Sequence, residues 1–262
     1  MGTNAPIITL LSDFGTQDPY VASMKGVIAS IAPEAAIHDL SHDIQCGDVI
    51  AAALFLETTL PLFPAETIHI AVVDPGVGTG RHPIVVRVSD QFVVCPDNGL
   101  VSWCIRSADS FEARVIKNAE LIPPSPSTTF HGRDVFAPIA AHLASGVAFE
   151  EVGLLLEKLI ALPYPEPVVK GDLVQGEIIH IDHFGNAITN IPRSRISGHS
   201  NMVIKAGDLE CHEVHDTYGN VGDGKALAVI GSTEHVELSV NKGNAALIYK
   251  FHRGTVVQIE LR

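Results

Sequence analysis

Apolar residues in the first 150 positions fall into two kinds of run. Ile7-Ile8-Thr9-Leu10-Leu11, Ala36-Ile37-His38-Asp39-Leu40 and Thr67-Ile68-His69-Ile70-Ala71-Val72 are short and rich in branched side chains, the pattern of strands. Between them, Tyr20 to Ile31, closed by Pro33, and Asp48 to Leu60 carry apolar positions at helical spacing, with Asp48 placed to cap the second. His82 to Val88 and Gln91 to Cys95 read as a hairpin-like pair, and Asp134 to Leu143 as a further helix. Strand and helix alternate to about Gly153, which predicts an α/β unit with a mostly parallel sheet flanked by helices.

The pattern changes after Leu162-Pro163-Tyr164-Pro165-Glu166-Pro167, where alternate prolines favour an extended backbone. Beyond it, Gly176 to Ile181, Met202 to Ile204, Ala226 to Ile230, Val236 to Val240, Ala245 to Tyr249 and Val256 to Glu260 read as short strands separated by Gly, Asn and Asp turns. The expected organisation is an N-terminal α/β domain over residues 1–162, a Pro-rich linker over 163–172, and a smaller antiparallel β-barrel or sandwich over 173–262.

Composition removes some functions. At 46% apolar and 18% charged residues the 262-residue chain has ample core material. A formal net charge of -13, without clustered Lys and Arg, argues against a nucleic-acid surface. Apolar runs are too short for a membrane span. Met1 to Pro6 shows no basic leader, and Pro6 stands where a myristoylation signal needs Ser or Thr, so a cytoplasmic protein is expected. Cys46, Cys95, Cys104 and Cys211 lack CxxC spacing and read as reduced core residues.

Chemistry concentrates in loops that follow strands. Asp74-Pro75-Gly76-Val77-Gly78-Thr79-Gly80-Arg81 begins with a carboxylate and ends with a guanidinium at a strand's carboxyl end, where open α/β sheets bind ligands. Its alternative is a solvated ion pair on a turn. Asp13 follows the first strand and can accept bonds from a vicinal diol, while Asp18 equally suits a helix cap. His131, before a helix N-terminus, is placed to stay neutral and to orient or deprotonate a water. A structural donor is the alternative, with Arg133 and Asp134 forming a local ion pair. In Asp182-His183-Phe184-Gly185-Asn186, Phe184 can stack on a planar base and Asn186 can read its polar edge, or the whole can be a hairpin turn. Ser232-Thr233 reads as a turn. No HExxH or Cys/His spacing occurs, so no metal site is expected.

In order, SDFGTQDPYVASMKG, VVDPGVGTGR, PDNG, TFHGRDVFAP and IDHFGNAITNI closely resemble the S-adenosyl-L-methionine (SAM) hydroxide adenosyltransferases, the SAM hydrolases related to fluorinases and chlorinases. The resemblance spans almost the whole chain. It implies attack of water on the 5′ carbon of SAM, releasing adenosine and methionine, without metal or cofactor. By the same resemblance Asp74, Arg81 and His131 activate the water, the guanidinium lowering its pKa. Asp13 matches the ribose-diol acid, with Asp18 in the adjoining loop. Asp182, Asn186 and Ser232 match contacts around the methionine moiety, and Phe184 the aromatic near the adenine. The resemblance further implies a homotrimer with sites between subunits. Halide transfer is the alternative enzyme, weakened because Arg81 and His131 are retained and Tyr20 replaces a small hydroxyl residue. A SAM- or adenosine-binding module without turnover is the alternative outside enzymes.

Overall fold

The computed structural model describes residues 5–199 and 201–262. Met1 to Asn4, on which the absence of a leader was read, lie outside the described residues. The chain divides into two compact units, residues 1–162 and 163–262.

The first unit runs β1 (Ile7–Ser12), α1 (Tyr20–Ile31), β2 (Ala36–Ser41), α2 (Val49–Thr59), β3 (Ile68–Val72), β4 (Pro83–Val88), β5 (Gln91–Pro96), α3 (Ser102–Arg106), β6 (Phe111–Ile116), α4 (Ala137–Ala144) and β7 (Gly153–Leu155). The sheet order is β2-β1-β3-β5-β4-β6-β7. The first four strands are parallel, and β4, β6 and β7 add antiparallel pairings. The period-two alternation of the strands divides two cores. Ile8, Leu10, Ile68, Ile70 and Val72 pack with Met24 and Ile28 of α1 and Ile139 and Ala140 of α4, whereas Leu11, Ala71 and Val73 pack with Ala52 and Leu56 of α2. Asp48 caps α2 by accepting the Ala51 N–H at 3.0 Å. The helix read from Asp134 begins instead with a π-helical turn, Gly132–Phe136, that leads into α4.

The second unit comprises β8 (Val168–Lys170), β9 (Leu173–Ile181), β10 (Ala187–Pro192), β11 (Met202–Ala206), β12 (Leu209–Cys211), β13 (Val214–His215), β14 (Ala226–Ile230), β15 (His235–Val240), α5 (Ala245–Tyr249) and β16 (Val256–Leu261). Its sheet order is β12-β11-β16-β9-β10-β15-β14-β13, antiparallel except for β13 with β14. It forms a nearly closed, barrel-like sheet around Val174, Ile178, Ile204, Leu238 and Ile259. Two readings change here. β8 lies within the stretch read as linker, paired with β9. Ala245 to Tyr249, read as a strand, is a helical turn: Asn244 caps it through the Leu247 N–H, and Lys250 ends it at φ 56°.

Candidate active site

In the order β2-β1-β3, the strands that follow β1 in sequence lie on opposite sides of it. The sheet thus reverses its direction of growth between β1 and β3, the place where open α/β sheets leave a crevice at their strands' carboxyl ends. Ser12 is in register with Val72, so Asp13 and the Val73-Asp74 step leave the sheet side by side. A cleft of about 340 Å³ lies there, with Asp13, Phe14, Tyr20, Asp74, Phe130 and His131 in its walls.

The loop after β3 is folded by bonds from Val77 N–H to the Asp74 carbonyl and from Thr79 N–H to the Gly76 carbonyl. Gly78 has φ +76°, and a Cβ on it would sit 2.5 Å from the Thr128 carbonyl oxygen. Only glycine permits both that backbone and that approach, which brings the Asp74 loop against the segment leading to His131.

One guanidinium then joins the three predicted groups. Arg81 Nε donates to Asp74 Oδ1 at 3.0 Å, and Nη2 donates to Asp74 Oδ2 and to His131 Nδ1, the latter at 2.8 Å. The Arg81 and Asp74 side chains are only 7% and 5% exposed, so little solvent weakens the pair. Arg81 also lies over the Phe136 ring at 5.5 Å, and Nη1 is buried without an acceptor among the described residues. Arg81 stands behind the cleft wall that Asp74 and His131 form.

A guanidinium has only protons to offer, so His131 Nδ1 must be the unprotonated nitrogen and Nε2 carries the ring's hydrogen. The His131 pKa is pushed below its usual 6.5, first by burial and then by the Arg81 charge, against smaller opposing effects of Asp74 and Asp134. The neutral imidazole therefore owes its stability to burial and Arg81. Arg133 and Asp134 form a local pair, and Asp134 also accepts the Ser127 N–H.

Asp13 Oδ2 accepts the Gly47 N–H at 2.8 Å, so one oxygen is anchored by the segment before α2. Asp18 is exposed and absent from the cleft walls, and the cap position of α1 is Pro19, with no side-chain cap bond, so Asp18 neither lines the cleft nor caps the helix. In the second unit, Asp182 builds the turn between β9 and β10. Its Oδ1 accepts Phe184 and Asn186 N–H groups at 2.9 and 2.8 Å, and its Oδ2 accepts Asn186 Nδ2 at 2.9 Å. That turn projects Phe184 at 72% exposure. Ser232 is exposed on the separate turn between β14 and β15.

Sequence reasoning missed several lining groups. Phe14, Tyr20 and Phe130 form a cluster with ring centroids 5.1 to 6.0 Å apart. Cys46 and Gly47 also line the cleft, so Cys46, read as a core residue, is an exposed cleft residue. Nothing local marked that segment except the Asp48 cap beside it.

Residues 8–153 match the SAM hydroxide adenosyltransferase N-terminal domain, and residues 176–258 match the C-terminal domain. The chain belongs to the SAM hydroxide adenosyltransferase family. It is 39% identical over 261 residues to an (R)-S-adenosyl-L-methionine hydrolase of Thermus thermophilus, covering 96% of this chain and 98% of that protein. A relative of the same description from Salinispora tropica is 35% identical over 252 residues, covering 92% of each chain. A crystal structure of an uncharacterized conserved protein from Thermotoga maritima superposes with a TM-score of 0.90 at 36% identity, over 96% of this chain and 99% of that one. In this member of the family Asp74, Arg81 and His131 are hydrogen-bonded to one another, with Asp74 and His131 in the wall of the 340 Å³ cleft.

Proposed function

We propose that the chain hydrolyses SAM to adenosine and L-methionine by in-line attack of a water on the 5′ carbon. The observation that carries this reading is the hydrogen-bonded group Asp74, Arg81 and His131, two of whose members face the cleft. His131 Nε2–H donates to the water oxygen and aims its remaining lone pair, while Asp74 accepts one of the water's protons. Arg81 keeps both partners in place from behind the wall. As the new C–O bond forms, the C5′–S pair withdraws onto sulfur, the sulfonium becomes a neutral thioether, and the water's proton passes to Asp74. Because the leaving group departs uncharged, neither a general acid nor a metal is required. Charge is lost in the attack, so exclusion of bulk water favours it.

Asp13 is assigned the ribose hydroxyls, with the oxygen not held by Gly47 available to them. The likeness to the family assigns the methionine end to Asp182, Asn186 and Ser232 and the adenine to Phe184, keeps Asp18 only as a neighbour of the substrate in the loop after Asp13, and assigns the assembly to a homotrimer, for which sedimentation is the check.

Incubation with SAM in ¹⁸O-water tests the reaction: label is expected on the 5′ oxygen of adenosine. A 5′-chloro product in chloride would instead mark a halogenase, and binding without products a passive module. Arg81→Ala and His131→Ala should each lower kcat at least about a hundredfold. Wild-type turnover in both would end the assignment.

A further inference from the structure

We propose that Lys25, Asp39, His42 and Ser12 form a hydrogen-bonded brace that sets the position of Asp13, which makes His42 a positioning residue for the nucleoside. The inference rests on the reading of Asp13 as the ribose acid. Lys25 Nζ donates to Asp39 Oδ2 at 2.6 Å, and His42 Nε2 meets Asp39 Oδ1 at 3.1 Å. His42 Nδ1 lies 2.7 Å from Ser12 Oγ, which also accepts the Phe14 N–H at 3.3 Å.

The Asp39 end sets the direction of the bonds in the row. The Asp39 carboxylate only accepts, so His42 Nε2 carries a proton, and in the neutral ring Nδ1 then offers a lone pair to the Ser12 hydroxyl. The Ser12 oxygen is then free to receive the Phe14 N–H. Meanwhile the His42 carbonyl accepts the Gly15 N–H at 2.8 Å. His42 thus grips both flanks of Asp13, through Ser12 on one side and Gly15 on the other. Gly47, five residues further along the same segment, donates to the Asp13 carboxylate itself.

Ser, His and Asp in a hydrogen-bonded row also make the nucleophilic group of serine hydrolases. That role is closed to this row: Ser12 is 1% exposed and is not in the cleft wall, so no substrate reaches its hydroxyl. Burial gives the row a different consequence. With His42 at 5% exposure, removing the imidazole leaves the Ser12 hydroxyl buried without an acceptor. The cheapest relief is for the Ser12-to-Gly15 turn to shift, and Asp13 moves with it.

Calorimetric titration with adenosine and with 2′,3′-dideoxyadenosine separates this role from a loss of general stability. Wild-type protein should prefer adenosine by at least about tenfold, since two hydroxyls meet a carboxylate. His42→Ala should erase most of that preference while changing dideoxyadenosine affinity less than about twofold, and should raise KM for SAM about tenfold with kcat within about threefold. His42→Asn, whose amide oxygen can accept the Ser12 hydroxyl, should recover much of the preference. Should His42→Ala fail to fold, Ser12→Ala takes the acceptor from the Phe14 N–H and the partner from His42 Nδ1, so the same turn loses its hold and the preference is read the same way. A preference that survives these variants, or equal weakening of both nucleosides, overturns the brace alone. A wild-type protein without any preference overturns the ribose role of Asp13 and the brace with it.

Discussion

Arg81 holds Asp74 and His131 with the same guanidinium, so the pH dependence of activity and the effect of replacing Arg81 are linked. In the proposed reaction His131 acts as a neutral imidazole, and its pKa is lowered below 6.5 by burial and by Arg81. Activity should therefore stay level as pH falls through neutrality and decline, about tenfold per pH unit, only below 6.5. Arg81→Gln should move that decline upward, because the neighbouring charge that opposes protonation is gone. A pH–rate profile of kcat/KM decides it; an acid limb centred above 6.5 in the wild type is incompatible with the assigned role. At Gly78 the demand is steric. Gly78→Ala should cost about 1 to 3 kcal/mol in a urea titration, because the left-handed backbone and the Thr128 carbonyl both oppose a Cβ. The acidic start and basic end of this loop were legible in the sequence, since loop chemistry is local. That Arg81 would turn back to Asp74 and also reach His131, fifty positions away, was not.

Elements were most readable where a local device marks them. Asp48 reads as a cap in the sequence and caps α2 in the structure. Asp48→Ala should destabilise the protein by about 1 kcal/mol in chemical unfolding, the usual worth of such a cap. The five-residue apolar run at Ala245 was not readable in the same way, because so short a run has no period to distinguish helix from strand. Its state is decided by the Asn244 cap and the left-handed Lys250. A buried row across β1, β3 and β5 was equally invisible: Thr9 Oγ1 to His69 Nδ1 at 2.8 Å and His69 Nε2 to Gln91 Oε1 at 3.1 Å. Burial lowers the His69 pKa from 6.5 to about 4, only partly offset by the bond to Gln91. Between those pH values the unfolded chain binds a proton that the native state refuses, so the stability is intact above 6.5 and falls as pH drops toward 4. The loss amounts to about 3 kcal/mol over that window. Urea midpoints at pH 7.5 and 4.5, compared between wild type and His69→Gln, measure it; equal slopes in the two proteins would exclude His69 as the source.

At the scale of the molecule, the two units have cores that share no residue. Residues 163–262, expressed alone, are therefore expected to unfold cooperatively in urea, followed by far-ultraviolet circular dichroism. A gradual, featureless transition would show that this unit lacks an independent core. The α/β to all-β change and the boundary region near the prolines follow from hydrophobic period and turn residues, which act over a few positions and are written in the chain order itself. The anchoring of Asp13 by Gly47 and the brace through His42 arise from β1 lying beside β2, and the Asp74, Arg81 and His131 group from the packing of α4 against β3. Strand order and the packing of helices on the sheet join positions thirty to sixty residues apart, and no local pattern of apolar and polar residues encodes which elements become neighbours.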